Sequence, residues 1–126
     1  MITHHKVDGY DNFIKLMSIL DCKGVVILYF CGSPNPLGQS WSAKCNRSGP
    51  IVHNVLKQNE TKNFHFVHVG VGTANDWKDP YCPFKTHERL QLKSLPSIIL
   101  WRQSERLTGK ECLNADKVKA MIEYLP

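Results

Sequence analysis

Cysteine is the residue type in this chain whose spacing could do chemistry. Two of the five cysteines (Cys22, Cys31, Cys45, Cys82 and Cys112) fall where a strand, a loop and a helix should join. Cys31 closes the apolar run Val25-Val26-Ile27-Leu28-Tyr29-Phe30, and Cys45 closes Ser40-Trp41-Ser42-Ala43-Lys44-Cys45, where a helix opens at Ser42. A strand, a turn-rich loop and a helix with cysteine on its first turn form the unit from which dithiol redox sites are built. The first cysteine of a Cys-x-x-Cys pair is missing, and Ser42 stands in its place.

Thiol–disulfide exchange needs a thiolate that attacks and, for turnover, a second thiol that releases the mixed disulfide. A serine hydroxyl is a far weaker acid and cannot form that disulfide, so Ser42 is excluded as a nucleophile. It is well suited to cap the helix by accepting from the N–H of Lys44 or Cys45, worth about 1 kcal/mol. For Cys45, the helix N-terminus and adjacent Lys44 favour the thiolate, whereas burial opposes it. Two readings follow: a single reactive thiol, or an inert half-buried cysteine. Cys31 offers a second route, a bridge to Cys45, which requires Cα atoms within about 7 Å. The alternative is a small buried hydrophobe.

The other candidates are weaker. No cysteine or histidine pair has zinc-ligand spacing. His65 and His68 are three apart on a strand and should face opposite ways; His4-His5 reads as surface. Cys82 sits in a long loop, where it is either exposed and oxidisable or ordinary, Cys112 should pack before the last helix, and Asp79 should cap, pair or stay solvated.

The elements that must position these residues follow from periodicity. Residues 2 to 7 read as a first strand. Phe13, Leu16, Met17 and Leu20 mark an amphipathic helix from Tyr10, with Asp8 or Asp11 as cap and Lys23-Gly24 as stop. Val25 to Phe30 has no polar face and belongs at the centre of a parallel or mixed sheet. Ser33 to Gly38 is a Pro- and Gly-rich loop, followed by a helix to about Gln58 that carries Pro50 and should kink there. Phe64 to Val71 is a core strand, and 72 to 83 a loop. Pro83 to Leu90 reads as a short helix, Ser97 to Trp101 and Arg106-Leu107 as a hairpin ending in an edge strand, and Ala115 to Leu125 as a helix capped by Asn114.

Length and composition suit one α/β domain over residues 1 to 126, with 42% hydrophobic residues to build a single core. The net charge of +5 could attract acidic partners, but no run of like charges exceeds two, so a solvated basic surface is expected and nucleic-acid binding is not. Met1 to Lys6 lacks the apolar core of a signal peptide, and the Val25–Phe30 run is far short of the ~20 residues of a membrane span. An odd number of cysteines forms no secreted framework, so a reducing cytosol with free thiols is expected.

These features together resemble the thioredoxin fold, a central mixed β-sheet flanked by helices on both faces. More closely, the chain resembles the thioredoxin domain-containing protein 17 family. The resemblance rests on Tyr29-Phe30-x-Gly32-Ser33, Ser40-Trp41-x-x-x-Cys45, Pro50-Ile51-Val52, Val69-Gly70, Trp77-Lys78-Asp79-Pro80, Leu95-Pro96 and Glu111-Cys112-Leu113. It spans nearly the whole chain at matching intervals. The family's motif is Trp-Cys-Pro-Asp-Cys, here Trp41-Ser42-Ala43-Lys44-Cys45. The resemblance makes Cys45 the resolving cysteine, puts Ser42 at the nucleophile's position and Lys44 at that of an acid. It implies a cis Leu95-Pro96 bond facing the motif, with Trp41, Leu95 and Pro96 contacting substrate; core packing is the rival reading of Trp41. It further implies a cytosolic protein-disulfide reductase, taking electrons from thioredoxin reductase and acting on protein or small disulfides, including cystine; a monomer with no cofactor or metal is expected. The substitution narrows this, because dithiol turnover through the motif should be weak or absent. A redox-inactive binding module and a monothiol protein using Cys45, with glutathione as co-substrate, are the alternatives.

Overall fold

A computed structural model describes residues 1–125. In chain order its elements are β1 (Thr3–Asp8), α1 (Tyr10–Leu20), β2 (Val26–Cys31), α2 (Ala43–Gln58), β3 (His65–Gly70), α3 (Ala74–Lys78), α4 (Pro83–Thr86), β4 (Ser97–Leu100), β5 (Arg106–Thr108), a 3-10 turn (Gly109–Leu113) and α5 (Ala115–Glu123). The strands form one mixed sheet in the order β1-β3-β2-β4-β5. β2 runs parallel to β3 and antiparallel to β4, and β5 is the expected edge.

All six side chains of β2 are buried because both of its faces are covered. On one face Phe30 meets Phe13 of α1 at 5.7 Å and Phe84 of α4 at 5.8 Å between ring centroids. On the other, Tyr29 bonds to Ser48 of α2, on which α5 packs. The strand's alternation thus sends Tyr29 and Cys31 toward α2 and Phe30 away from it. The expected sheet with helices on both faces is what the chain forms. Among the described residues no helix is long and apolar enough to cross a membrane.

Several local expectations need correction. The cap of α1 is Gly9, with φ +86°, and neither Asp8 nor Asp11 caps it. The turn out of β1 needs the left-handed region that glycine occupies without cost, and the Asp8 carboxylate is taken by the Ser33 hydroxyl. The stretch after β3 is not all loop: Thr73 and Asp76 form a reciprocal capping box that nucleates α3. Helix α4 stops at Thr86, four residues short of the expected end, and α5 stops at Glu123. Helix α2 reaches Gln58 as expected and continues through Pro50.

Candidate functional site

The site is assembled at the C-terminal edge of β2. Gly32, the residue after Cys31, has no side chain for a packing reason: a Cβ there would stand 2.5 Å from the Trp41 ring and 2.7 Å from the Ser40 hydroxyl. The indole therefore lies on the Gly32 backbone, and its Nε1 donates to the Gly72 carbonyl at 2.8 Å. Trp41 remains 41% exposed, so it covers the loop on one side and offers surface on the other.

The loop from Ser33 to Ser40 is braced from within and from α2. Asn35 accepts from the N–H groups of Leu37 and Gln39. Asn46, on the first turn of α2, accepts from the Ser40 N–H and donates to the Ser40 carbonyl, both at 2.8 Å. Sequence reading did not single out Asn46, because an exposed asparagine has no signature until its partner loop is in place. Ser42 is the N-cap of α2, in extended conformation, and its Oγ accepts from the Cys45 N–H at a long 3.4 Å. The capping role expected of it is observed.

Cys45 is 4% exposed and surrounded by donors. Cys31, Gly32 and Ser40 share its cavity wall, Ser42 caps its N–H, and the Cys31 thiol, the Ser42 hydroxyl, the Gly32 N–H and the Ser40 hydroxyl are the groups that favour its thiolate. Hydrogen bonds to an anion favour it. The Cys31 thiol is the largest of these influences, burial opposes them, and the Cys45 thiol is lowered to about 6. Lys44, the cation expected to act, is not among the main causes. Cys31, also 4% exposed, moves the opposite way: its bond to Cys45 and its burial push its thiol far above the ordinary range.

Behind the two sulfurs runs a polar strand of groups that the sequence did not announce. The Tyr29 hydroxyl bonds to the Ser48 hydroxyl, Ser48 donates to the Cys45 carbonyl at 3.0 Å, and Tyr29 shares the cavity wall with Cys31. Burial raises the phenol well above its usual value, so Tyr29 acts as a donor and not as an anion. The Tyr29 ring stacks on His68 at 4.9 Å, and burial lowers the His68 imidazole to about 4, leaving it neutral. Cys31, Cys45, Ser40, Pro50, His53 and His68 share the wall of a cavity of about 330 Å³ between the α2 face of the sheet and the loop.

The remaining sequence candidates lie elsewhere. Trp41, Ser42, Leu95 and Pro96 are not part of that wall. The Leu95-Pro96 bond is cis, as the resemblance implied. Both residues are buried, and the Pro96 carbonyl accepts from the Gly109 N–H at 2.7 Å. Among the described residues no backbone hydrogen bond takes up the N–H or C=O of Leu95. His65 and His68 face opposite sides as expected, His65 bonding to His5 and His68 stacking on Tyr29. Cys82 is buried, not exposed, because the loop around it folds into α3 and α4. Cys112 packs, as expected, at 0% exposure. Asp79 accepts from the Tyr81 N–H at 2.9 Å and follows the end of α3. Cys22 is the exposed cysteine, and none of the five is bridged. Among the described residues no three potential ligands cluster to hold a metal ion.

Comparisons with known proteins agree with this architecture. The model of the thioredoxin domain of the thioredoxin domain-containing protein 17-like family matches residues 6–124. Thioredoxin domain-containing protein 17 of Danio rerio is 33% identical over 117 residues, covering 92% of this chain and 91% of the relative. The Homo sapiens protein of that name is 28% identical over 116 residues, with the same coverage. Among solved structures, oxidised thioredoxin O1 from Arabidopsis thaliana superposes with a TM-score of 0.64 at 18% identity, covering 98% of this chain and 97% of the other, a likeness of fold.

Proposed function

The chain belongs to the thioredoxin domain-containing protein 17-like family, and from that premise we propose that it is a thiol-exchange protein whose reactive group is Cys45 alone within a degenerate motif. The observation that carries this is what converges on one buried cysteine: Cys31, Gly32 and Ser40 share its cavity wall and Ser42 caps its N–H, and these groups favour the Cys45 thiolate. A packing cysteine does not need an anion-stabilising shell; a nucleophile does.

The same geometry argues that turnover on protein disulfides is weak or absent. Ser42 occupies the partly exposed position from which an attacking thiol would meet a large substrate, and Cys45 lies behind it. A disulfide in a folded protein would have to reach past Ser42, whereas a small disulfide need only enter the cavity beside Cys45. Substrate is held by the exposed indole of Trp41 and by the Leu95-Pro96 segment, where among the described residues no backbone hydrogen bond takes up the N–H or C=O of Leu95. Family membership supports disulfide-containing proteins or small molecules as substrates, thioredoxin reductase as the electron donor and the cytoplasm as the working compartment, with the chain acting as a monomer.

Insulin reduction coupled to thioredoxin reductase and NADPH tests this reading. The natural chain should turn over at a small fraction of the rate of its Ser42→Cys variant. Robust turnover by the natural chain would refute the degenerate-motif reading. If Ser42→Cys stays inactive while the chain still binds reduced or scrambled peptides, Trp41 and Leu95 serve binding alone.

A further inference from the structure

The cavity wall that holds Cys45 also holds Cys31, and thiol chemistry does not require the members of a redox pair to be close in sequence. Strand β2 delivers Cys31 to the point where α2 begins. Gly32, the very next residue, shares that wall with both cysteines, and each thiol bears on the ionisation of the other. Both are equally buried and both line the same opening.

We propose that Cys31 supplies the thiol missing at position 42: Cys45 attacks a low-molecular-weight disulfide entering through the cavity, and Cys31 resolves the mixed disulfide to leave a Cys31–Cys45 bond. The proposal rests on Cys45 being the reactive thiol. In the first step the Cys45 thiolate displaces one half of the disulfide R–S–S–R, giving Cys45–S–S–R and a thiolate that takes a proton from solvent. In the second, Cys31 attacks the Cys45 sulfur and its proton passes to the departing R–S⁻. The protein loses two electrons and the Cys31 proton, solvent supplies the second proton, and the small disulfide becomes two thiols. Excess small thiol reverses both steps and restores the reduced pair.

The local electrostatics suit this order. Cys31 is held protonated chiefly by the Cys45 thiolate that it hydrogen-bonds. Once Cys45 becomes a neutral disulfide sulfur, that restraint is gone and Cys31 ionises more readily. The Tyr29 hydroxyl, on the same cavity wall as Cys31, favours that thiolate.

The test exposes reduced protein carrying Cys22→Ser, which removes the exposed thiol, to excess hydroxyethyl disulfide. Free thiols are then trapped with N-ethylmaleimide, and intact mass and peptide mapping read the products. The expected product has lost two hydrogens and carries a Cys31–Cys45 cross-linked peptide, while a further Cys31→Ala substitution leaves a stable hydroxyethyl adduct on Cys45. A persistent adduct on Cys45 with Cys31 still present overturns the proposal and leaves the reactive-thiol reading standing. Cys45 unmodified in both proteins overturns both. The mapping of the Cys31-containing protein decides the matter even if the Cys31→Ala variant folds poorly.

Discussion

Replacing Cys31 with alanine should change how Cys45 ionises more than how fast it reacts at neutral pH. The Cys45 thiol is lowered from 9.0 to about 6, with the Cys31 thiol as the largest cause. At pH 7 a thiol with a pKa near 6 is about 90% thiolate, and one near 9 about 1%, roughly a 90-fold difference in the attacking species. Nucleophilicity falls with pKa at a Brønsted slope of about 0.4–0.5, so three units cost the thiolate roughly 15- to 30-fold in intrinsic rate. The net advantage at pH 7 is therefore only about three- to six-fold. The measurement is iodoacetamide alkylation of Cys45 from pH 4.5 to 10, in a Cys22→Ser background, with the urea-unfolded protein as reference. The folded protein should show a midpoint near 6, and the unfolded chain one near the ordinary thiol value. Cys31→Ala should move the midpoint upward, by more than Ser42→Ala does. Its plateau rate at high pH should exceed that of the natural chain, while its rate at pH 7 changes only a few-fold. A midpoint at 8.5 or above in the folded natural chain, or one that neither substitution moves, would refute the donor-shell reasoning.

Asn46→Ala should release the Ser40 main chain, cost about 1–2 kcal/mol for the two hydrogen bonds, and raise the Cys45 midpoint because Ser40 is one of its donors; chemical denaturation and alkylation measure the two effects. Gly32→Ala should displace the Trp41 indole, alter its fluorescence and destabilise the fold by about 1–3 kcal/mol, since its new methyl has no room beside the ring. Tyr29→Phe should cost about 1 kcal/mol in a urea melt and no more, because Ser48 keeps its bond to the Cys45 carbonyl. Stability should rise with pH across two windows. His68, lowered from 6.5 to about 4, contributes stability that is lost as pH falls through that interval, and Cys45, lowered from 9.0 to about 6, contributes stability that is lost as pH falls between those values. Above pH 9 the raised Cys31 thiol acts in the opposite sense, because only the unfolded chain ionises it. Urea melts across pH should show Cys45→Ala flattening the upper window and leaving the lower one.

What the sequence determined by itself lies within single elements. The uniform apolarity of Val25 to Phe30 placed β2 at the sheet centre, because only a strand covered on both faces can lack a polar side. The repeat of Phe13, Met17 and Leu20 gave the buried face of α1, and a serine at the start of α2 had to cap it. Such features depend on the 3.6- and 2-residue periods of the local backbone. The tertiary structure decided which of these features meet. Cys31 and Cys45 are fourteen positions apart, and the loop length between them sets no contact; Gly32 beneath the indole and Asn46 clamping Ser40 do. Cys82 read as a loop cysteine and is buried, because its loop folds into α3 and α4 beside the Phe13, Phe30 and Phe84 cluster. Tyr29 looked like one more apolar strand residue until α2 brought Ser48 to its hydroxyl. Ionisation was the least legible property of all. Neighbouring Lys44 in the sequence suggested a cation as the cause, yet the groups holding Cys45 down come from β2 and from the braced loop, and only their convergence in space gives one sulfur its charge.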